Sequence, residues 1–273
     1  GLSVLLGIFP AVSIASANYV INEWLDRESD KFHPTKSRRR AVQKALKREF
    51  VALEWLAFVS IGLTSAWFGG PAMFLAAVVF ALQGIAYNVR PLRTKDKAYL
   101  DVVSESINNP LRLMIGWAMI DAMTLPPSSI ILSYWMGGAF LMAAKRLSEY
   151  REIVASHGKT LLTQYRTSFG GYSEVSLTAS CLLYAVLSSF FLAVFLLKYR
   201  IEYLLLTPLI AALFAFYLVL SMQAGSSAQN PEKLLKERGL MLLVGLLAVA
   251  FLVLTFVNVP SLDYFVGQRF IEL

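Results

Sequence analysis

The sequence predicts an all-α fold, a polytopic transmembrane helical bundle. Its 273 residues are 57% hydrophobic and only 16% charged, and the mean hydropathy is +0.58. Apolar runs of about 20 residues, the length that crosses the hydrocarbon core of a bilayer, recur along the chain. Because a helix satisfies its own backbone hydrogen bonds in lipid, these runs predict membrane-spanning helices and exclude an ordinary soluble domain.

Eight spans can be read in order along the chain. They are expected at residues 1–24, 50–68, 72–87, 102–123, 130–144, 177–197, 203–222 and 240–257. The first run is already under way at residue 1, so we expect that further sequence lies upstream.

The distribution of basic residues predicts how the spans are oriented. If the eight spans alternate, the loops 27–49, 90–97, 145–173 and 223–238 lie on one side, and they hold 21 of the 25 Lys and Arg residues. Cytoplasmic loops carry such an excess of positive charge, so we expect these loops to face the cytoplasm. Nucleic-acid binding is disfavoured, because the net charge of +7 is spread over four loops beside the membrane.

The end of the first span carries the most distinctive polar stretch, with Asn22, Glu23, Asp26 and Asp30. Asn22, Asp26 and Asp30 recur every four residues, so on a helix each lies about 40° round from the last. Glu23 lies about 100° from Asn22, which keeps all four side chains on one side. Four hard oxygen donors beside a cationic loop suit Mg²⁺ holding a phosphate group. The alternative is a solvated helix end whose acids offset the neighbouring Lys and Arg.

The first two charged loops contain candidate phosphate ligands. His33 and Lys36 directly follow the acidic helix, and this loop is interpreted as a phosphate-facing lid or as a basic segment in contact with anionic lipids. The second loop holds Arg90, Arg93 and Lys95 close to the membrane surface. It has the charge to grip a phosphate or pyrophosphate, and it would serve equally as a positive-inside anchor.

The fourth span carries a polar stripe along an otherwise apolar helix. Asp101, Glu105, Asn108 and Arg112 recur at helical spacing on one face, and the sequence Asn108-Asn109-Pro110 is expected to kink the helix. Ionisable groups at membrane depth usually face a cavity or pair internally. We expect cavity lining; the alternative is a structural pair of Arg112 with Glu105 or with a neighbouring helix.

These residues resemble the UbiA superfamily of intramembrane prenyltransferases. The first acidic motif of that superfamily, Asn-Asp-x-x-Asp-x-x-x-Asp, stands here as Asn22-Glu23-x-x-Asp26-x-x-x-Asp30, with Glu23 in place of the first Asp. The resemblance implies a bundle of nine helices with a polar cavity that opens to the cytoplasm. Residues 1–273 would then form a single domain whose eight spans are the second to the ninth.

Within the superfamily, the residues most resemble the decaprenyl-phosphate phosphoribosyltransferase branch. The acidic motif continues into His33-Pro34-Thr35-Lys36, and the third loop reads Ala144-Lys145-Arg146-Leu147-Ser148-Glu149, followed by tyrosines from Tyr165 to Tyr172. Most family prenyltransferases carry a second Asp-rich motif in this loop, and here cations replace it. The resemblance therefore implies transfer of ribose 5-phosphate from phosphoribosyl pyrophosphate to a polyprenyl phosphate.

The resemblance also implies roles for individual residues, with Mg²⁺ as the cofactor. The metal ligands would be Asn22, Glu23, Asp26 and Asp30, the last three also being catalytic. Phosphate would be bound by His33, Lys36, Arg90, Arg93, Lys95, Lys145, Arg146, Glu149 and Tyr165. The cavity would be lined by Tyr87, Asp101, Glu105, Asn108 and Arg112. The polyprenyl chain would lie in a lateral groove among the apolar spans, in contact with membrane lipids.

The same residues are compatible with three alternatives to this interpretation. Lys145 and Glu149 also have the spacing of a solvated, salt-bridged helix end. The second loop, Arg90 to Lys95, resembles ordinary prenyltransferases at least as well, which favours transfer of a prenyl group from a diphosphate to an aromatic or polar acceptor. A membrane transporter would use the break at Asn108-Asn109-Pro110 as its substrate site, but the cationic loops lie on one face alone.

Overall fold

A computed structural model describes residues 2–31, 40–43, 46–229 and 231–262, and the fold in these residues is entirely helical. His33 and Lys36, two of the predicted phosphate ligands, lie outside the described residues. The all-α prediction is confirmed.

Twelve α-helices follow one another in the described part of the chain. In chain order, α1 to α12 are Leu2–Asp30, Arg40–Gln43, Arg48–Phe68, Pro71–Asn88, Leu100–Ser106, Asn108–Ala118, Ser128–His157, Leu162–Tyr165, Glu174–Tyr199, Thr207–Met222, Pro231–Leu234 and Arg238–Phe256. Short 3₁₀ turns at Thr94–Asp96, Thr167–Gly171 and Ile201–Leu206 join some of them.

Six helices in the described residues are long and apolar enough to cross a membrane. They are Ser3–Glu28, Arg48–Phe68, Pro71–Asn88, Glu174–Tyr199, Ile201–Met222 and Arg238–Phe256. These correspond to six of the eight expected spans, and the bundle of apolar helices is that of an integral membrane protein. The fourth and fifth expected spans have a different construction.

The fourth expected span is divided into α5 and α6, with the interruption at Ile107. Proline lacks a backbone N–H, so Pro110 leaves the carbonyl of Ser106 without its usual partner four residues on. The helix resumes with the bond from the Leu111 N–H to the Ile107 carbonyl, at 3.2 Å. The helix is therefore interrupted just before Asn108-Asn109-Pro110, the segment at which the sequence predicts a kink.

The fifth expected span continues well beyond its predicted end at residue 144, because α7 runs from Ser128 to His157. Its last turns carry buried Leu147, Tyr150 and Ile153, which pack in the same apolar cluster as α9. The helix ends at Gly158, whose φ of +72° is open to glycine. Residues predicted as the start of a cytoplasmic loop are thus part of a packed helix.

Of the three apolar clusters in the described residues, two contain helices that border the cavity, and the third lies around Leu206 and Ile210. One joins buried side chains of α1, α3, α4 and α6, around Phe80 and Ile115. The other joins α5, α7, α9 and α10 with the segment before α9, around Phe140 and Phe169. Helices α1, α4, α5, α6 and α7 all contribute to the walls of one polar cavity.

Candidate active site

A polar cavity of about 530 Å³ lies among the ends of the helices that carry the predicted site residues. Charged and amide side chains make up most of its walls. They are Asn18, Asn22, Asp26, Asp30, Asn88, Arg93, Lys95, Asp96, Glu105, Asn108, Asn109, Arg112, Lys145, Arg146, Glu149, Gln164 and Arg166, together with the phenols of Tyr19, Tyr87 and Tyr165.

One wall is the acidic end of α1. Asn22, Asp26 and Asp30 all line the cavity, as their spacing on a single helix predicts. The Asp26 Oδ1 accepts a hydrogen bond from the Lys95 Nζ at 2.5 Å, and the Arg93 Nη2 lies 3.4 Å from the same oxygen. The acidic motif and the second charged loop, 69 residues apart for Asp26 and Lys95, therefore form one charged cluster.

Lys95 is held inward by the 3₁₀ turn at Thr94–Asp96 and is 5% exposed. Besides Asp26, its ammonium donates to the Asn22 Oδ1 at 3.2 Å and to the Asn88 Oδ1 at 2.9 Å. Burial lowers the pKa of the Lys95 ammonium, and the Asp26 carboxylate opposes that shift. Lys95 is thus a desolvated cation in direct contact with the acidic motif.

Glu23 and Arg90 are not among the described residues that line the cavity. Glu23 lies on α1 beside the residues that form the acidic wall but is not part of that wall. Arg90 is exposed at the start of the loop after α4. The predicted roles of both residues therefore gain no support from their positions.

The acidic wall has a donor set that fits Mg²⁺ only in combination with a ligand. In the part of the chain that the structure describes, no three His, Cys, Asp or Glu side chains converge as a metal site. Asn22, Asp26 and Asp30 nevertheless present hard oxygen donors to one cavity, and Mg²⁺ is usually held by one or two carboxylates with substrate phosphates and water. The residues fit an ion that arrives with a phosphate-bearing substrate.

The facing wall is organised by Arg146, which is 2% exposed. Its guanidinium lies 2.8 Å from the Glu105 Oε2, 3.3 Å from the Asp101 Oδ2 and 3.3 Å from the Glu149 Oε2. The Tyr87 hydroxyl also donates to the Glu105 Oε2, at 2.8 Å. Arg146 and Glu149 are buried here, so the alternative of a solvated helix end is wrong.

Asp101 lies behind this wall and does not line the cavity, because it is fully buried among protein donors. The Ser168 hydroxyl donates to it at 3.0 Å and the Tyr172 hydroxyl at 2.6 Å, and Arg166 lies 3.7 Å away. Burial and the Asp101 carboxylate raise the pKa of Tyr172. Asp101 therefore ties the segment after α8 to α5 and supports the wall from outside.

Lys145 and Arg112 line the cavity but form no ion pair or hydrogen bond within the described residues. The positive charge of Lys145 interacts with the Glu105 carboxylate only at longer range. The guanidinium of Arg112 lies over the ring of Phe80, 5.5 Å from its centroid. The alternative pair of Arg112 with Glu105 is not formed, because Glu105 is bound by Arg146 and Tyr87.

Sequence reasoning missed several residues of the cavity. Arg166 lies in the polar segment before α9, and its position opposite the acidic wall depends on how that segment folds back. Asn18 precedes Asn22 by one helical turn, so extending the stripe of Asn22, Asp26 and Asp30 backwards would have found it. Tyr165, which was predicted, lines the cavity and stacks on Phe169, and burial raises its pKa.

Comparison with curated proteins identifies relatives of one kind. The chain is 32% identical over 142 residues to the decaprenyl-phosphate phosphoribosyltransferases of two Mycobacterium tuberculosis strains, CDC 1551 / Oshkosh and ATCC 25618 / H37Rv. The match covers 50% of this chain and 43% of the length of each relative.

Solved structures share the fold. A UbiA homolog from Archaeoglobus fulgidus bound to DMAPP and Mg²⁺ matches with a TM-score of 0.66 and 20% identity, over 94% of this chain and 88% of that one. The same protein bound to GPP and Mg²⁺ matches with a TM-score of 0.65 and 21% identity, over 93% and 88%. At this identity the likeness establishes the helical fold alone.

A family model covers most of the chain. The model of the UbiA prenyltransferase family matches residues 1–237 of the 273, a stretch that includes every described wall of the cavity. This agrees with the acidic stripe on α1 and with the prediction of a transferase. The chain belongs to the UbiA prenyltransferase family.

Proposed function

We propose that the protein is a Mg²⁺-dependent transferase that moves ribose 5-phosphate from phosphoribosyl pyrophosphate to a polyprenyl phosphate such as decaprenyl phosphate. The observation that carries this proposal is the composition of the wall that faces the acidic motif. That wall contains Lys145, Arg146 and Arg166 with Glu105 and Glu149, and it lacks a second group of aspartates in the described residues. Cations there suit a substrate with several separate phosphate groups.

The acidic wall would hold the metal. Asn22, Asp26 and Asp30 would bind Mg²⁺, which would neutralise the charge that develops on the leaving pyrophosphate. Lys95 and Arg93, both in contact with Asp26, would donate hydrogen bonds to the pyrophosphate oxygens. Preorganised cations of this kind stabilise a departing anion without rearranging during the reaction.

The proposed reaction exchanges one C–O bond for another. The bond from C1 of the ribose to the pyrophosphate oxygen breaks, and its electron pair leaves with the pyrophosphate. An oxygen of the lipid phosphate forms the new bond to C1. That oxygen is already anionic at neutral pH, so the acceptor needs positioning and no separate base; Lys145 and Arg166 are placed to position it.

Orientation and lipid contacts complete the proposal. We place the cavity at the cytoplasmic face, because the loops that border it carry most of the basic residues. The polyprenyl chain would leave the cavity through a lateral groove among the apolar helices. The roles predicted for Glu23, His33, Lys36 and Arg90 remain predictions.

A second candidate is prenyl transfer from a prenyl diphosphate to a polar or aromatic acceptor. It is favoured by the structural neighbours, one of which is bound to DMAPP and another to GPP, each with Mg²⁺. In this reaction the same acidic wall would hold the diphosphate, while the cations of the facing wall would have fewer phosphate groups to bind.

Purified protein with Mg²⁺ separates the two candidates. One reaction receives labelled phosphoribosyl pyrophosphate and decaprenyl phosphate, and the other receives labelled geranyl diphosphate with an aromatic acid. We expect labelled lipid only in the first. Labelled product only in the second would replace the proposed reaction with prenyl transfer.

A further inference from the structure

Arg112 is a cation within the fourth expected span for which the described residues supply no counter-ion. It lines the cavity and is exposed there, and in the part of the chain that the structure describes it forms no ion pair or hydrogen bond. Ionisable side chains at membrane depth are costly, and they normally pair with one another or serve a substrate. A missing partner therefore points to an anionic ligand.

The geometry of Arg112 leaves its donors available. Its guanidinium lies over the ring of Phe80, with Cζ 5.5 Å from the ring centroid, which is a cation–π contact. Its N–H groups form a planar fork that matches the oxygens of a phosphate. The contact with Phe80 uses none of these hydrogen-bond donors.

A second observation on the same helix points in the same direction. Asn108 and Asn109 lie on the same face of α6 as Arg112, four and three residues before it, and all three line the cavity. The buried Oδ1 of Asn108 has no hydrogen-bond partner in the described residues. A buried polar atom without a partner is rare and is often explained by a ligand or water. The face of α6 that carries Arg112 is therefore incomplete on its own.

The other cationic groups of the cavity belong to other elements of the fold than Arg112. Lys95 and Arg93 belong to the loop after α4 and are engaged with Asp26, whereas Arg146 belongs to α7 and is engaged with three carboxylates. Arg112 stands on α6, away from both of these groups in the chain. We expect a ligand with two phosphate groups to place one beside Lys95 and Arg93, with Mg²⁺ at Asp26, and the other at Arg112.

We infer that Arg112, with Asn108 and Asn109, forms a second anion subsite that binds a phosphate monoester. The inference rests on the proposed function for its ligand. Two substrates carry such a group, the 5-phosphate of the phosphoribosyl donor and the phosphate of the polyprenyl acceptor. The donor carries ribose hydroxyls beside its 5-phosphate, and the amide side chains of Asn108 and Asn109 line the cavity next to Arg112 on α6, so we expect the donor's 5-phosphate to bind here.

The test measures binding to purified full-length chain in detergent by calorimetry. The variants are Arg112→Gln and Arg112→Lys, with Arg151→Gln as the matched control, because Arg151 is exposed and pairs with Glu174 away from the cavity. The probes are ribose 5-phosphate, farnesyl phosphate, and pyrophosphate with Mg²⁺. Thermal unfolding of each variant is recorded beside the binding.

We expect Arg112→Gln to weaken binding of ribose 5-phosphate at least about tenfold, the effect of losing a charge-assisted hydrogen bond. Arg112→Lys should restore part of it, and Arg151→Gln should match the wild type. Pyrophosphate with Mg²⁺ should bind Arg112→Gln within about twofold of the wild type, because Asp26 and Lys95 are intact. A general structural defect would weaken all probes together.

Other outcomes would either assign the subsite to a different phosphate or overturn it. A tenfold loss for farnesyl phosphate in place of ribose 5-phosphate keeps the subsite and assigns it to the lipid phosphate. Unchanged binding of both, failure of the wild type to bind either, or equal losses for all three probes overturns the subsite. Turnover of phosphoribosyl pyrophosphate by the wild type is measured separately, so the proposed reaction can fail while the subsite stands, and the reverse.

Discussion

Asp26 is the residue at which the two predicted halves of the site meet. Its Oδ1 contacts both Lys95 and Arg93, and in the proposed reaction it also binds Mg²⁺. Its carboxylate therefore balances two cations in the free protein and a metal in the substrate complex. Removing this negative charge should therefore weaken both the pairing with Lys95 and Arg93 and the binding of Mg²⁺.

We expect Asp26→Asn to lower turnover of phosphoribosyl pyrophosphate by at least about 100-fold, since metal stabilisation of developing charge contributes several kcal/mol. The Mg²⁺ concentration for half-maximal rate should rise. Steady-state assays across a Mg²⁺ series check this. Asp121→Asn, in an exposed turn with Thr124, is the control and should behave as the wild type. Unchanged Mg²⁺ dependence in Asp26→Asn would refute the metal assignment.

Lys95 provides a prediction on pH. Because burial lowers its pKa, the ammonium loses its proton at a lower pH than an ordinary lysine, and the proposed pyrophosphate contact weakens with it. The kcat/KM for the donor should therefore fall on the alkaline side, and Lys95→Arg should shift that fall to higher pH. Profiles of kcat/KM against pH for both proteins test this. Superimposable alkaline limbs would contradict the role.

The lowered pKa of Lys95 has the opposite effect on the stability of the folded protein. The folded protein releases the Lys95 proton more readily than the unfolded chain, so the free energy of unfolding rises with pH between the lowered pKa and the ordinary one. A fall in kcat/KM in that window therefore does not come from loss of the fold through this residue.

Arg146 has a structural role that can be measured. Its removal would leave Asp101, Glu105 and Glu149 near one another without the cation that joins them. We expect Arg146→Gln to lower the free energy of unfolding by about 3–5 kcal/mol, as for other broken buried ion pairs. Denaturant titration of the purified protein measures it. Arg151→Gln breaks an exposed pair with Glu174 and should cost about 1 kcal/mol or less; equal losses would contradict the account.

At the scale of elements, the close approach of α1 and α4 depends on a glycine. A Cβ at Gly84 would lie 1.8 Å from the Oδ1 of Asn18, whose Nδ2 donates to the Phe80 carbonyl at 3.1 Å. Both residues line the cavity. The packing of these two helices therefore also shapes the site.

We expect Gly84→Ala to lower the free energy of unfolding by about 1–3 kcal/mol, the usual cost of overpacking. At Gly245 on α12 a Cβ would meet nothing within 4 Å, so Gly245→Ala should be neutral or stabilise the helix by about 0.5–1 kcal/mol. Thermal unfolding in detergent compares the two. A Gly84→Ala protein as stable as the Gly245→Ala protein would show that the Asn18 side chain moves aside at little cost.

The polar residues of α5 and α6 show which part of a sequence pattern is preserved in the folded protein. The stripe of Asp101, Glu105, Asn108 and Arg112 predicts one continuous polar face. Glu105, Asn108 and Arg112 line the cavity, whereas Asp101, on the same helix as Glu105, is fully buried. The interruption near Pro110 was predictable, but the burial of Asp101 was not, because its partners Ser168 and Tyr172 lie far along the chain.

At the scale of the whole molecule, orientation in the membrane is a testable expectation. The described residues contain a single cysteine, Cys181, which is buried in α9, so native labelling should be weak. We expect Arg151→Cys to react with a membrane-impermeant maleimide only from the cytoplasmic side and Thr124→Cys only from the opposite side. Labelling of intact cells and of inverted vesicles measures this. The reverse pattern would place the cavity on the other face.

The sequence alone determined the fold class, most of the spans and the acidic wall. Helix formation and hydrophobic periodicity are local properties, so Asn22, Asp26 and Asp30 could be aligned without knowing what surrounds them. The same holds for the likeness to the UbiA family, which depends on short motifs. How far α7 continues beyond residue 144 could not be predicted, because its last turns are buried against α9, which lies far along the chain.

Only the tertiary structure decided which charges meet. Lys95 pairs with Asp26, 69 residues away in the sequence, and Arg146 pairs with Glu105, 41 residues away. Arg112 instead forms a cation–π contact with Phe80. A side chain in a loop can point inward or outward with the same sequence, and the packing of distant helices selects one direction. The pairing of buried charges is therefore a property of the assembled bundle, and the sequence by itself shows only that such charges are present.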